Sequence, residues 1–411
     1  LQEALAVAQN PNWEGWINLA LIERSGYTAL EPRVEQWLAG HPGHPAANPL
    51  PGGMQFQRSR HEGKQVAVLL PLSGRLADAG KAVLDGYLAA HFEEASGSGV
   101  RDQLLVLDLN RFSSANEAYE QAVAQGAEIA VGPLSKSAVT DLATRPELPI
   151  PVLALNHIKE KLPSLGSAFV QLSLSAKDEA DGLAEMAFGN GGRHAAILRP
   201  SGTWGDKVEI AVRDRWLALG GEVISSAVYT EREDHSETVK RSLGLEESEA
   251  RARRVRDMLA TNIEFTPRRR QDPDVVFLLS RNGEEARSIK PLLAFHHAGR
   301  VPVYSLPSIN YGITDARIRD LNGINLVDLP WLLGSNPSLK AELATAGGDQ
   351  YTRLNALGVD AYRLHARFRQ LQGGPDALIR GDTGLLSMNS RLQMTRELPP
   401  ATFDGGALKP L

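Results

Sequence analysis

QVAVLLPLSG, residues 65 to 74, decides the fold. Val66, Ala67, Val68, Leu69 and Leu70 form an unbroken apolar run, as expected of a strand buried on both faces of a parallel sheet rather than of an alternating surface strand. Pro71 ends the run, and Ser73-Gly74 opens a turn of small residues ahead of the helical spacing Ala77, Lys81, Leu84, Leu88. Polar atoms thus gather at the carboxyl end of a strand, where open α/β sheets bind ligands.

Outward from this strand, apolar runs of strand length alternate with helical periods. LLVLDL (104–109), EIAV (128–131) and PVLAL (151–155) follow with helices between them, in βαβαβαβ order. Such order implies right-handed crossovers and a parallel sheet covered on both faces. After Phe169-Val170-Gln171-Leu172 a second series begins, with strands at 195–199, 222–229, 274–280 and 301–306. Because single cores stop growing near ~250–300 residues, two lobes are expected rather than one large sheet. Lobe one is assigned about 65–170 and part of 306–411, and lobe two about 173–305 and part of 330–380. A strand at 324–329, helices near 336–345 and 351–371 and a hairpin at 384–395 come next, and the tail LPPATFDGGALKPL is read as lying along the surface without regular structure.

Upstream, residues 1–45 have helical spacing and hold three of the six tryptophans (Trp13, Trp16, Trp37), and 46–64, rich in proline and glycine at its start, reads as a linker. The spacing of Trp16, Leu19 and Ala20 resembles part of a tetratricopeptide helix; because such repeats need neighbours to bury their faces, the stretch reads either as an ordinary helical hairpin docked on the main domain or as the end of a truncated helical array. His41 and His44 lack acidic or cysteine partners nearby, so no metal site is assigned to them.

Composition narrows the function. A net charge of −5 and 23% charged residues give no general attraction to nucleic acid or anionic lipid. No apolar run reaches the ~18 residues of a membrane span, and the chain begins inside a helical pattern, which reads as a fragment trimmed at its amino end. Absence of cysteine excludes disulfides and thiolate chemistry. The stretch from Gly74 to Ala82 imitates a phosphate-binding loop but has five residues between its glycines instead of four and Ala82 where Ser or Thr would hold magnesium, so it reads as a turn and helix start. Ser-x-x-Lys, Lys-Thr-Gly, Gly-x-Ser-x-Gly and His-Glu-x-x-His are all missing. Adjacent His296 and His297 would lie about 100° apart on a helix and suit capping or packing better than one shared ion. No catalytic residue, cofactor or metal ligand is assigned.

The segments AVLLPLSG, VGPLSKS (131–137), LALNH (153–157), IKPLLAFHHAG (289–299), DLPWLLG (328–334) and LNALGVDAYRL (354–364) together resemble the LpoA (LppC) lipoproteins of Gram-negative bacteria. The resemblance covers most of 65–411. It implies a type I periplasmic-binding-protein-like fold of two doubly wound parallel-sheet lobes, preceded by the end of a tetratricopeptide-like helical domain in 1–45. It further implies a non-catalytic periplasmic protein, anchored to the outer membrane by an amino-terminal lipid absent from this fragment, that binds and activates a bifunctional class A penicillin-binding protein in peptidoglycan synthesis. The alternative is a periplasmic protein or sensor that closes on a small ligand, an amino acid or a cell-wall fragment.

Two surfaces are candidates. Ser73, Gly74, Ser135, Asn156 and Ser175 follow apolar runs, with Trp204 and Tyr311 as further lining, and could form an inter-lobe cleft for a small ligand; turn capping would account for the same hydroxyls and amide. Between residues 245 and 270 seven arginines stand against five acids, in a chain that is negative overall. Arg251, Arg254, Arg268, Arg269 and Arg270 are the candidate partner surface, since arginine favours bidentate recognition; the competing reading is a solvated helix face with local ion pairs.

Overall fold

In the computed structural model, which describes residues 5–6, 10–23, 30–48, 50–51, 54, 64–98, 101–159, 166–230, 235–259, 264–311, 316–347, 351–368 and 378–411, the apolar run is strand β1 (Gln65–Leu70), buried at every residue but the first. It pairs in parallel with β2 (Gln103–Asp108) and β3 (Ile129–Val131). With β4 (Val152–Ala154) and β5 (Phe169–Gln171) these make a five-stranded parallel sheet in the order β2-β1-β3-β4-β5. Ala67 and Leu69 join Tyr119, Leu142, Val152 and Phe169 in one core. The alternate residues face the helix Ala77–Ser98, which packs on β1. Helical layers on both faces leave no place for a polar residue in the run.

The chain divides into two units, Leu1–Leu174 with Pro330–Glu397, and Ser175–Leu329 with Leu398–Leu411. In the second, β6 (His194–Pro200) pairs in parallel with β7 (Glu222–Tyr229) and β8 (Val275–Leu278), followed by β9 (Val303–Tyr304) and β10 (Ile324–Val327). Ala195 and Ile197 of β6 face a core with Leu183, Val212 and the fully buried Trp216, from the helices Ala176–Gly189 and Thr203–Ala218. Ala196 and Leu198 face the opposite core, with Val239, Leu243, Ile289 and Leu293. The period of two along the strand thus separates two apolar layers rather than core from solvent.

Two expectations are corrected. No part of 330–380 belongs to the second unit: the whole of Pro330–Glu397 lies in the first, because the helix Thr352–Ala366 packs backbone against backbone on the helix Ala77–Ser98. The same stretch carries a three-stranded sheet of β11 (Ile379–Gly381), β12 (Gly384–Met388) and β13 (Met394–Glu397). The tail is not irregular either. β14 (Pro400–Asp404) pairs antiparallel with β10, and β15 (Ala407–Pro410) pairs antiparallel with β14, completing a seven-stranded sheet. Ala401 and Phe403 point inward and are buried, while Gly405 and Gly406, both at positive φ (63° and 80°), make the two-residue turn. Asp-Gly-Gly flanked by alternating apolar residues is a hairpin signal that the reading of the tail missed.

Upstream, the helices Pro11–Glu23 and Leu30–Gly40 pack through Leu19 and Trp37, whose indole donates to the Gly15 carbonyl at 3.0 Å. Ala46 and Met54 are buried in the same small core, so the described part of the expected linker is packed rather than free; residues 55–63 of it lie outside the described residues.

Candidate functional site

The carboxyl ends of β1, β3 and β4 bring four of the candidate residues to one edge of the first sheet. Gly74 starts a short 3₁₀ turn with φ of 69°, and Ser73 precedes it. The Asp108 carboxylate accepts the Leu72 and Asn110 amides at 2.9 and 3.2 Å. Burial works to raise the Asp108 carboxyl, but the hydrogen bonds from the Ser73 hydroxyl and these two amides prevail and hold it below the usual range. Ser135 caps the helix Lys136–Ala143, accepting the Ala138 amide at 3.3 Å. Asn156 donates to the Leu134 carbonyl at 2.9 Å and accepts the His157 amide at 3.0 Å. The side chains of Ser73, Ser135 and Asn156 are therefore each engaged in shaping a strand-to-helix turn. The imitation of a phosphate-binding loop has a steric origin: a Cβ at Gly80 would overlap the Pro71 carbonyl, so glycine lets the helix start against the strand end.

The other three candidates belong to the second unit. Ser175 caps the helix Ala176–Gly189, accepting the Lys177 amide at 3.2 Å. Trp204, 37% exposed, stands at the start of the helix after β6, and Tyr311, 44% exposed, ends the 3₁₀ turn that follows β9. The reading from residue types missed the polar groups that gather at the ends of β7 and β8. There the buried Tyr229 hydroxyl lies 2.9 Å from the Leu279 carbonyl and 3.1 Å from both Ser280 and Glu285, and burial pushes its phenol well up. Arg281 pairs with Glu285 at 2.9 Å and donates to the Ser201 carbonyl at 2.5 Å.

The five arginines separate into two kinds. Arg269 donates to the carbonyls of His297 (2.9 Å) and Arg270 (2.7 Å). Arg270 pairs with Asp272 and donates to the Ile224 carbonyl at 2.9 Å, over the edge strand β7. These two side chains hold their own loop. Arg251, Arg254 and Arg268 are exposed. His296 caps its helix and lies 2.7 Å from the Ser236 hydroxyl. Among the described residues no group of three His, Cys, Asp or Glu side chains could hold a metal ion, and no described helix is long and apolar enough to cross a membrane.

Among the described residues at this edge, His157, directly after Asn156, is the one group with a large shift near neutral pH. Burial, aided by Arg396 and Lys136, pushes its imidazole down to about 4 despite opposing hydrogen bonds to the Gln171 and Met394 backbones. An unfolded imidazole titrates near ~6.5, so both states are neutral above that value and the stability is fully present there. As pH falls through 6.5 toward 4 the unfolded chain takes up a proton that the folded ring refuses, and stability falls by at most about 3 kcal/mol. Urea titrations across this range should show that slope, and His157→Gln should flatten it; an equal slope in the variant would assign it to other groups.

The chain is 30% identical over 404 residues to "Penicillin-binding protein activator LpoA" of Vibrio antiquarius, covering 94% of this chain and 65% of that protein's length. Full-length LpoA from Haemophilus influenzae superposes with a TM-score of 0.65 at 22% identity, covering 100% of this chain and 72% of that one. The LpoA C-domain of the same organism, described as a regulator of PBP1A, gives 0.62 at 23% identity, covering 84% and 99%. A structure described as "a putative branched-chain amino acid ABC transporter" from Chromobacterium violaceum gives 0.62 at 24%, covering 83% and 100%. At these identities the likenesses speak for the fold, which is type I periplasmic-binding-protein-like. Residues 2–406 match the family described as "LppC putative lipoprotein", and the chain belongs to that family.

Proposed function

We propose that this chain is the binding part of a non-catalytic regulator of peptidoglycan synthesis, which activates a bifunctional class A penicillin-binding protein from the periplasmic side of the outer membrane. One observation carries the reading: a relative named for that activation is 30% identical over 94% of the chain. Activation requires that the regulator bind the active conformation of the enzyme more tightly than the inactive one.

The partner-facing charge is assigned to Arg251, Arg254 and Arg268, whereas Arg269 and Arg270 brace the loop that presents Arg268. The test is binding of this chain to the periplasmic part of its own organism's class A enzyme at low and moderate salt, followed by glycan polymerisation with the chain added. Saturable binding that weakens with salt, together with faster polymerisation, is expected. Absence of saturable binding at low salt would overturn the proposal.

A further inference from the structure

The helix Leu245–Leu259 buries only Leu245 and Ser248. From Glu249 to Leu259 no residue is buried, so three of its turns gain little from the core of their own unit. An isolated helix shorter than about 12–15 residues is marginal in water, and most helical stability comes from packing an apolar face. That face exists here. Ser248, Ala252, Val255 and Leu259 follow one another at spacings of four, three and four, which places them on one stripe. The stripe starts buried at Ser248 and runs out into solvent, with Val255 43% and Leu259 60% exposed, and Met258 beside it 81% exposed.

The acids of the helix lie mostly in its first turns, and the charge beside the exposed end of the stripe is mainly positive. Residues 251–258 hold four arginines (Arg251, Arg253, Arg254, Arg256) against Asp257, a local +3 in a chain of −5. Arg268 joins them because its amide donates to Ser248 Oγ at 3.3 Å, which lays its loop along the first turns of the helix. We propose that this helix is the element that enters the partner, its Val255 and Met258 side chains filling an apolar groove and its arginines meeting carboxylates on the rim. The inference rests on the regulator reading above and names the surface chemistry of that contact. Anchors at helical spacing in a groove are an established mode of recognition. All the positive charge of the helix is arginine, whose fork matches carboxylates two bonds at a time. A membrane surface fits less well: Leu245–Leu259 has no aromatic residue to sit at a lipid interface and carries Glu246, Glu247, Glu249 and Asp257 among its arginines.

The test compares the unaltered chain with Val255→Asp/Met258→Asp, binding each to the periplasmic part of the class A enzyme and to vesicles of phosphatidylcholine with phosphatidylglycerol. The double variant should lose about tenfold or more in affinity for the enzyme with circular dichroism and melting temperature unchanged. Arg251→Glu/Arg254→Glu/Arg268→Glu should slow association and flatten its salt dependence. If the aspartates unfold the helix, a photocrosslinking residue at 258 should still join the chain to the enzyme, and no crosslink would overturn the proposal. Unchanged enzyme affinity in Val255→Asp/Met258→Asp overturns the role of the helix and leaves the regulator reading standing. Binding to vesicles that this variant loses, with enzyme binding intact, reassigns the helix to a membrane and overturns it as well. Failure of the unaltered chain to bind the enzyme overturns the regulator reading itself.

Discussion

Gly86→Ala or Gly358→Ala is expected to destabilise the first unit by ~3 kcal/mol or more, enough to leave much of the chain unfolded at moderate temperature. Both residues lie inside helices, where alanine would ordinarily gain up to ~1 kcal/mol over glycine. The local preference is overruled by the crossing of the helices Ala77–Ser98 and Thr352–Ala366. A Cβ on Gly86 would overlap the Asn355 carbonyl oxygen, and one on Gly358 would overlap the Val83 carbonyl and lie 2.8 Å from the Tyr87 nitrogen. Backbone atoms on the far side cannot swing away as a side chain could, so the helices would have to part. Tyr87, fully buried, packs edge-on against Tyr362 with centroids 5.2 Å apart and lies 3.1 Å from His365 Nδ1, so separation would open a polar and aromatic layer as well. Gly182 is the control. It too is helical, but its added Cβ would meet only Val327 side-chain carbons at 3.5 Å or beyond. Gly182→Ala should therefore raise stability by roughly 0.5–1 kcal/mol. Thermal melts of the three variants decide the matter: equal, small effects at Gly86 and Gly358 would mean that the helices relax apart at little cost.

Arg363→Met should cost about 3–5 kcal/mol, because it leaves buried carboxylates without their cation. Arg363 Nη1 donates to Asp382 at 2.6 Å, and the guanidinium also lies 4.0 Å from Asp360 and 3.7 Å from Glu93. Asp360 accepts the amides of Asp382 and Thr383 at 2.8 and 2.7 Å and the Thr383 hydroxyl at 2.5 Å, tying the helix Thr352–Ala366 to the turn between β11 and β12. Burial, with Asp382 beside it, pushes the Asp360 carboxyl up, and Arg363 works against the shift. Removing Arg363 drives it further up. A carboxyl whose folded pKa exceeds its unfolded value contributes stability that is lost as pH rises through the folded value. The deficit of Arg363→Met should thus be smaller near about pH 5 than near about pH 7.5. A deficit independent of pH would assign the cost to lost packing instead.

Much of this molecule is legible in residue order alone. The run Val66–Leu70, the alternation of apolar runs with helical periods and the break after Leu172 identify two parallel-sheet units, because burial on both faces demands uninterrupted apolar strands. The tail was misread although its signal was present: Ala401 and Phe403 alternate with polar neighbours ahead of Asp404-Gly405-Gly406. The candidate site was legible as a set of strand-end residues, and the capping reading of its hydroxyls was legible too, as the caps at Ser135 and Ser175 show; the partner of Ser73 was not. Whether Ser73 faces outward or donates to Asp108 depends on a strand 35 residues later.

Sequence by itself determined most of the strands and helices and the parallel character of the first sheet, since these follow from apolar runs and spacing along a few consecutive residues. Tertiary structure alone decided which unit claims Pro330–Glu397, why Gly86 and Gly358 can be nothing larger, and that Arg269 and Arg270 are braces while Arg251, Arg254 and Arg268 face solvent. These outcomes depend on which distant backbone or carbonyl stands opposite a residue, and the order of residues along the chain does not encode that distance locally.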